Sequence, residues 1–186
     1  MATVTLNPIL ESLSGKIGDL VCRQHGDGVV VARMPAGERH WTPEQLAHQN
    51  RFRLAAVYGR TALADAATKA LYEAKARERG GPVFALTIAD FFHEPAVDEI
   101  DLSAYTGQAG EKISIRAHDD FELVGVAVAI RKADGTVLEQ GPAVARNDSV
   151  WGYTASTTLP PGQTVSIEVT ATDRPGHKTV KTQGRT

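Results

Sequence analysis

The sequence predicts an α+β N-terminal part, made of a β-hairpin and three short helices, followed by an all-β sandwich. Three observations predict this order: a strand-turn-strand pattern, then a block of helix signals, then short alternating segments after residue 95. We therefore place residues 1–94 in a hairpin and helical assembly domain and residues 95–186 in a β-sandwich domain. The 186 residues suit two small domains, because domains commonly run to about 100 to 150 residues.

The hairpin is predicted over residues 17–34. IGDLVCR alternates apolar and polar residues, HGDG contains residues that tolerate positive φ, and VVVAR is rich in β-branched side chains. A two-stranded hairpin is marginally stable alone in water. The valines of residues 29–31 must therefore be covered by the helices that follow or by a neighbouring chain.

Three helices are predicted next. Thr42 can cap the first helix, Pro43 suits its first position, and Gln45 can bond back to the Thr42 amide. An alanine-rich second helix spans about residues 65–79 and stops at two glycines. The third helix opens after Pro82 and carries one apolar stripe. The stripe consists of Phe84, Ile88, Phe91 and Phe92.

Seven alternating segments follow residue 95: VDEIDL, KISIRAH, VGVAVAIRK, TVLEQG, VWGYTAS, QTVSIEVTATD and KTVKTQ. Turn-forming residues separate them, which is typical of a β-sandwich. Period-two alternation and helical spacing also predict the two cores. The first comprises Val29, Val31, Leu46, Phe52, Leu71, Phe84, Ile88 and Phe91. The second comprises Ile113, Ile115, Val126, Val128, Ile130, Trp151, Val165, Ile167 and Val169.

Charge and composition argue against several protein classes. A formal net charge of -2 does not suit a protein that coats nucleic acid, because that role needs surplus Lys and Arg. The first residues lack the basic start and apolar stretch of a signal peptide, and no apolar run approaches the roughly 20 residues of a membrane span. We expect synthesis in the cytoplasm and neither membrane nor nucleic-acid partners. The single Cys22 excludes an internal disulfide.

No catalytic, cofactor-binding or metal-ligating set emerges from the motifs. Lys16 is followed by Ile17 and a strand rather than by Ser or Thr and a helix, which excludes a phosphate-binding P-loop. Cys22 and His25 form a C-x-x-H without a second pair. We therefore expect no enzyme and no cofactor. One alternative stays open beside ordinary turn residues, namely a Ca²⁺ site formed by Asp119, Asp120 and Asp173.

The order of these parts resembles a known group of proteins. The hairpin begins GKIGDLV, with Gly15, Lys16, Gly18 and Val21, and the TPEQ helix start is followed by a Q-x-x-x-R spacing over residues 49–53. Similar G-K-x-G-x-x-V hairpins and helices, often with an immunoglobulin-like tail, occur in a loose group of phage and prophage-like proteins. The ending VTATDRPGHKT is similar to the last strands of bacterial immunoglobulin-like modules, with His177 where Asn is usual. The resemblance implies a structural component of a particle or filament.

We therefore expect a non-enzymatic assembly protein of a phage-like virion, such as a capsid-decorating or tail-associated protein. The expected partners are copies of the chain itself or a shell or tube protein. A proline at Val30 should then weaken assembly by removing a ladder hydrogen bond. The subunit-contact candidates are Lys16, Val21, Arg23, Val29, Val30, Val31 and Arg33.

A second hypothesis is a carbohydrate- or surface-binding module. Trp151 and Tyr153 share one face of a predicted strand, so they could hold a glycan together with the turn loops. Two aromatic residues on one face are also typical of a sandwich core. The sequence leaves both interpretations open.

Overall fold

The computed structural model describes residues 14–25, 28–34 and 41–185. The chain divides into two compact units, residues 1–46 and residues 47–186, and the division falls inside the first helix. The domain boundary near residue 95 stays a prediction. The order of a small sheet, three helices and a β-sandwich confirms the α+β part followed by the all-β sandwich.

The first unit contains a three-stranded antiparallel sheet in the order β1-β2-β3. Its strands are β1 (Gly15–Ile17), β2 (Leu20–His25) and β3 (Gly28–Arg33). The predicted hairpin is thus present, but its first segment is divided into two strands. Gly18 adopts a φ of 56°, a left-handed conformation that favours glycine, and the chain turns back there.

The three predicted helices are present as α1 (Pro43–Ala64), α2 (Ala66–Arg79) and α3 (Val83–Phe92). The predicted capping box forms at α1: the Thr42 amide donates to Gln45 Oε1 at 2.9 Å, and the Gln45 amide donates to Thr42 Oγ1 at 3.3 Å. Helix α2 ends at Gly80, whose φ is 77°.

Small and polar residues, rather than the predicted large apolar ones, are buried between the helices. Gly59 illustrates the close approach, because an added Cβ would overlap Thr87 Oγ1 and lie 3.0 Å from the Phe84 ring. Helices that pack this closely leave no room for large side chains at the contact. The predicted first core is therefore wrong at several positions. Four predicted helix residues are exposed by 40 to 49%: Leu46, Phe52, Leu71 and Phe84.

The β-sandwich consists of two four-stranded sheets, in the orders β4-β5-β9-β8 and β11-β10-β6-β7. All seven predicted strands are present, and the short strand β8 is additional. The strands are β4 (Ala96–Asp101), β5 (Lys112–His118), β6 (Leu123–Lys132), β7 (Val137–Pro142), β8 (Val144–Ala145), β9 (Val150–Thr154), β10 (Val165–Asp173) and β11 (Lys178–Arg185).

The core of the sandwich lies between the two sheets and follows the predicted alternation. Every second residue of β5 and β10 is buried, including Ile113, Ile115 and Ile167, which are fully covered. Trp151 is half-buried and packs against this core. The predicted second core is thus confirmed.

Among the described helices, none combines the length and apolar character needed to cross a membrane.

Candidate functional site

The predicted subunit-contact residues lie on both faces of the β1-β2-β3 sheet. Directly paired residues share a face, so the register places Lys16, Val21, Arg23 and Val30 on one side. Val29, Val31 and Arg33 lie on the other side. This second side is here called the apolar face of the sheet. Its apolar members are Ile17, Leu20, Cys22, Val29 and Val31.

Most of the apolar face is uncovered. Ile17 is 56% exposed, Leu20 is 43% exposed and Val31 is 51% exposed, whereas Cys22 in the centre is buried. On the opposite face, Val30 is also 53% exposed. Large apolar side chains that are half-exposed on a small sheet are typical of a surface that another molecule covers.

A buried polar network joins the three helices of the second unit. Tyr58 of α1, Tyr72 of α2 and Asp90 of α3 each contribute one side chain. The two hydroxyls lie 2.7 Å apart, Tyr58 donates to Asp90 Oδ2 at 3.3 Å, and Tyr72 donates a short bond to the same oxygen. Asp90 is only 1% exposed, and its Oδ1 has no partner among the described residues.

Burial changes the proton affinities of this network. It raises the pKa of Asp90 to about 6, with the nearby Asp119 and Asp173 carboxylates acting in the same direction. It also raises the pKa of Tyr58 to about 12 and that of Tyr72 further. The tyrosines therefore stay protonated donors at neutral pH, and Asp90 carries a charge that its surroundings disfavour. Sequence patterns did not reveal this network, because its members are 14 to 32 residues apart.

Two turns at one end of the sandwich contact the helices. Tyr72 stacks on Phe121 of the β5–β6 turn with ring centroids 4.1 Å apart, and Phe91 lies edge-on to His177 of the β10–β11 turn at 5.2 Å. His93, just after α3, pairs with Asp120 at 2.7 Å. The helices and this end of the sandwich are therefore held together by two aromatic contacts and by the contact between His93 and Asp120.

The residues of the alternative Ca²⁺ site mainly stabilise their own turns. Asp119 Oδ2 accepts the Phe121 amide at 2.9 Å, and Asp173 Oδ2 faces His177 Nδ1 at 2.7 Å. Asp173 Oδ1 accepts the amides of Gly176 and His177. Within residues 14–25, 28–34 and 41–185, no group of three or more His, Cys, Asp or Glu side chains is arranged to hold a metal ion.

The two predicted surface-binding aromatics occupy different environments. Trp151 lines a cleft of about 820 Å³ between α2 and the turns at residues 118–123 and 145–148. Tyr153 is buried in the core, where its hydroxyl donates to Glu139 Oε1 at 2.6 Å. Glu139 also accepts the amides of Ser156 and Thr157. Trp151 and Tyr153 share one face of β9, but only Trp151 lies in the cleft.

Comparisons with known proteins give weak likenesses. No family model matches the sequence, and no curated protein matches it. Among solved structures, CopC from Methylosinus trichosporium OB3b is similar at 13% identity and a TM-score of 0.37, over 49% of this chain and 90% of that one. An engineered protein aligns at 22% identity and a TM-score of 0.36, over 49% of this chain and 19% of its own.

A lipoprotein from Bacteroides thetaiotaomicron aligns at 17% identity and a TM-score of 0.26, over 50% of this chain and 77% of that one. At these TM-scores the likenesses carry no argument about function.

Proposed function

We propose that this chain is a non-enzymatic structural protein that assembles into a larger particle through its N-terminal sheet. The observation that carries the proposal is the exposed apolar face of β1-β2-β3, with Ile17, Leu20 and Val31 each about half uncovered. Covering the exposed half of each side chain would contribute roughly 1 kcal/mol. A partner that covers all three gains stability that the described residues of this unit do not supply.

The particle we propose is a phage-like virion, in which the chain is a capsid-decorating or tail-associated protein made in the cytoplasm. Support comes from the G-K-x-G-x-x-V hairpin and from the combination of a sheet with several exposed apolar side chains and a sandwich with its own core. The sheet would dock on copies of the chain or on a shell or tube protein. The sandwich, which has its own core, would face outward.

We also propose that the sandwich is immunoglobulin-like. In that fold one sheet has the strand order A-B-E-D and the other contains G-F-C, extended by C′ in the variable type. If β4, β5, β6 and β7 are A, B, C and C′, then β8 to β11 are D, E, F and G. The two sheets then read A-B-E-D and G-F-C-C′. This agreement in strand order supports the assignment.

Assembly can be tested on the full chain by sedimentation velocity over a range of concentrations. We expect larger species as the concentration rises, and we expect Leu20→Gln to suppress them. Val124→Gln is the matched control, because Val124 is 58% exposed but lies on the sandwich. Particles purified from the encoding organism should also contain the chain by mass spectrometry. A chain that stays monomeric and is absent from such particles would refute the proposal.

A glycan-binding function is the second candidate, favoured by the position of Trp151 in the 820 Å³ cleft. Asn147 and Asp148 lie beside it and offer hydrogen-bond groups of the type that bind sugar hydroxyls. A glycan array with the full chain tests this candidate. Binding that is lost in Asp148→Ala but kept in Asp134→Ala, an exposed turn residue outside the cleft, would support it. An array without any bound glycan would exclude it.

A further inference from the structure

The hydrogen-bond pattern of the N-terminal sheet determines which backbone groups of β3 point outward. Ile17 and Leu20 pair across a two-residue turn, so they exchange the closing backbone bond. Hydrogen-bonded and non-bonded pairs alternate along antiparallel strands. The groups of Leu20 therefore face β1, and those of Val21 and Arg23 face β3, where their partners are Ala32 and Val30.

It follows that the N–H and C=O groups of Val29, Val31 and Arg33 point away from β2. A further bond agrees with this alternation: the Met34 amide, next in the inward series, donates to Asp19 O at 2.6 Å. In the described part of the chain, β3 pairs with β2 and with no other strand. Among the described strands, none pairs with these three residues, so their backbone groups are open to a strand added at the outer edge of β3.

This pattern changes the variant that would test the edge. The Val30 amide bonds inward to β2, so a proline at Val30 would disrupt the sheet itself as well as any assembly. A proline at Val31 removes an outward donor and leaves the ladder between β2 and β3 intact. Val31→Pro is therefore the more selective perturbation of the edge.

We propose that the outer edge of β3 pairs with the same edge of a second copy of this chain, about a two-fold axis at Val31. The inference rests on the proposed assembly function and names the partner surface. In this register Val31 faces Val31 of the second copy, and Val29 faces Arg33. All three outward residues of each strand then exchange both backbone bonds, and the pair forms one six-stranded sheet.

Charge and register favour a second copy in this alignment. Arg33 is the charged residue of β3, and the two-fold at Val31 places it opposite a valine rather than another cation. If the register between the two β3 strands shifted by one residue, outward-pointing backbone groups of one strand would face inward-pointing groups of the other. A shift of two residues would leave an outward-pointing residue of each strand unpaired. The other edge, β1, is three residues long and carries Lys16. The β3 edge therefore provides the longer ladder without like charges facing each other.

The pairing also continues the apolar face across the seam. Val29 and Val31 share a face with Leu20 and Cys22 in one copy, and the two-fold axis places the same face of the second copy alongside it. The combined face is twice as wide as in one copy. It would give a shell or tube protein a broader apolar surface to bind.

Cysteine cross-linking tests the register. In a Cys22→Ala background, Val31→Cys chains treated with a short bis-maleimide should cross-link strongly, because equivalent residues face each other. Val29→Cys and Arg33→Cys chains should each cross-link at least tenfold less, since their equivalents lie roughly 14 Å apart along the strand. A mixture of these two variants should cross-link with each other. Equal yields at all three positions would overturn the register.

Sedimentation of the full chain tests the edge itself. Val31→Pro should weaken self-association at least tenfold more than Val31→Thr does, because threonine keeps the backbone N–H, and it should leave the thermal unfolding of the chain unchanged. Self-association that is unaffected by Val31→Pro would refute edge pairing and leave the assembly function standing. A chain that is monomeric in solution but present in particles would also refute edge pairing and leave the assembly function standing. A chain that is monomeric and absent from particles would refute both edge pairing and the assembly function.

Discussion

The exchange of Asp90 for asparagine tests whether this buried carboxyl makes the stability of the protein depend on pH. In the folded chain the pKa of Asp90 is raised from 3.8 to about 6, chiefly by burial. The folded state therefore binds the proton more tightly than the unfolded chain does. The resulting stability is fully present below about pH 4 and is lost as the pH rises through about 6.

The size of the effect follows from the two pKa values. They differ by about 2, and each pKa unit corresponds to about 1.4 kcal/mol, so ionising Asp90 in the folded chain costs roughly 3 kcal/mol. Asparagine is neutral and keeps an oxygen for the Tyr72 hydroxyl. We therefore expect the free energy of unfolding of Asp90→Asn, relative to the wild type, to rise by roughly 3 kcal/mol between about pH 4 and about pH 7.5.

Urea unfolding across this pH range, followed by tryptophan fluorescence, measures the difference. Any cost of the new amide group applies at every pH and cancels from the change. Asp134→Asn is the matched control, because Asp134 lies in a turn and the bonds from Thr136 hold its pKa below the usual value. Because Asp134 is ionised in both the folded and the unfolded chain over most of this pH range, the free energy of unfolding of Asp134→Asn relative to the wild type should stay nearly constant. A stability difference for Asp90→Asn that does not vary with pH would refute the reasoning.

Further variants test the helix packing and the core. Gly59→Ala should lower the free energy of unfolding by about 1 to 3 kcal/mol, since the added Cβ overlaps Thr87, whereas Gly125→Ala, with open space around it, should not destabilise. Equal losses in the free energy of unfolding for Gly59→Ala and Gly125→Ala, measured by urea unfolding, would contradict the close contact between Gly59 and Thr87. Glu139→Gln should destabilise by about 1 to 3 kcal/mol. Burial alone would raise the pKa of Glu139, but three hydrogen bonds hold it below the ordinary value of 4.5. The charged carboxylate therefore stabilises the fold above that pH, and the destabilisation by Glu139→Gln should shrink as the pH falls below it. If Glu139→Gln destabilises the protein equally at lower pH, the hydrogen bonds to the ionised Glu139 carboxylate are not the source of its stabilising effect.

The sandwich could be predicted from the sequence because its signal is local. In β10, the residues Val165, Ile167 and Val169 alternate with polar ones, and a strand converts that alternation directly into a buried and an exposed face. The same rule identified β5 and β6. The register of the two sheets and the strand β8, which is only two residues long, carry no comparable pattern.

The helices could be placed but their contacts could not. Capping residues such as Thr42 act on their own turn, so the sequence locates helix starts. Which face is buried depends on how closely two backbones approach, and here Gly59 and Thr87 allow that approach. Apolar stripes therefore pointed to Phe52 and Phe84, both of which are exposed. The network of Tyr58, Tyr72 and Asp90 depends on the same geometry and left no sequence signal.

The helices contact one end of the sandwich, and the turn at the other end can accept an inserted peptide. The helices contact the turns before β6 and after β10, whereas the β6–β7 turn with Gly135 lies at the far end of β6. Strand β6 has 10 residues, so this turn lies roughly 30 Å from the end of the strand that is nearest the helices. Gly135 has open space around it. A peptide epitope inserted there would be displayed from the protein without disturbing the helical contacts, which makes this turn the natural insertion site for engineering the chain as a display scaffold.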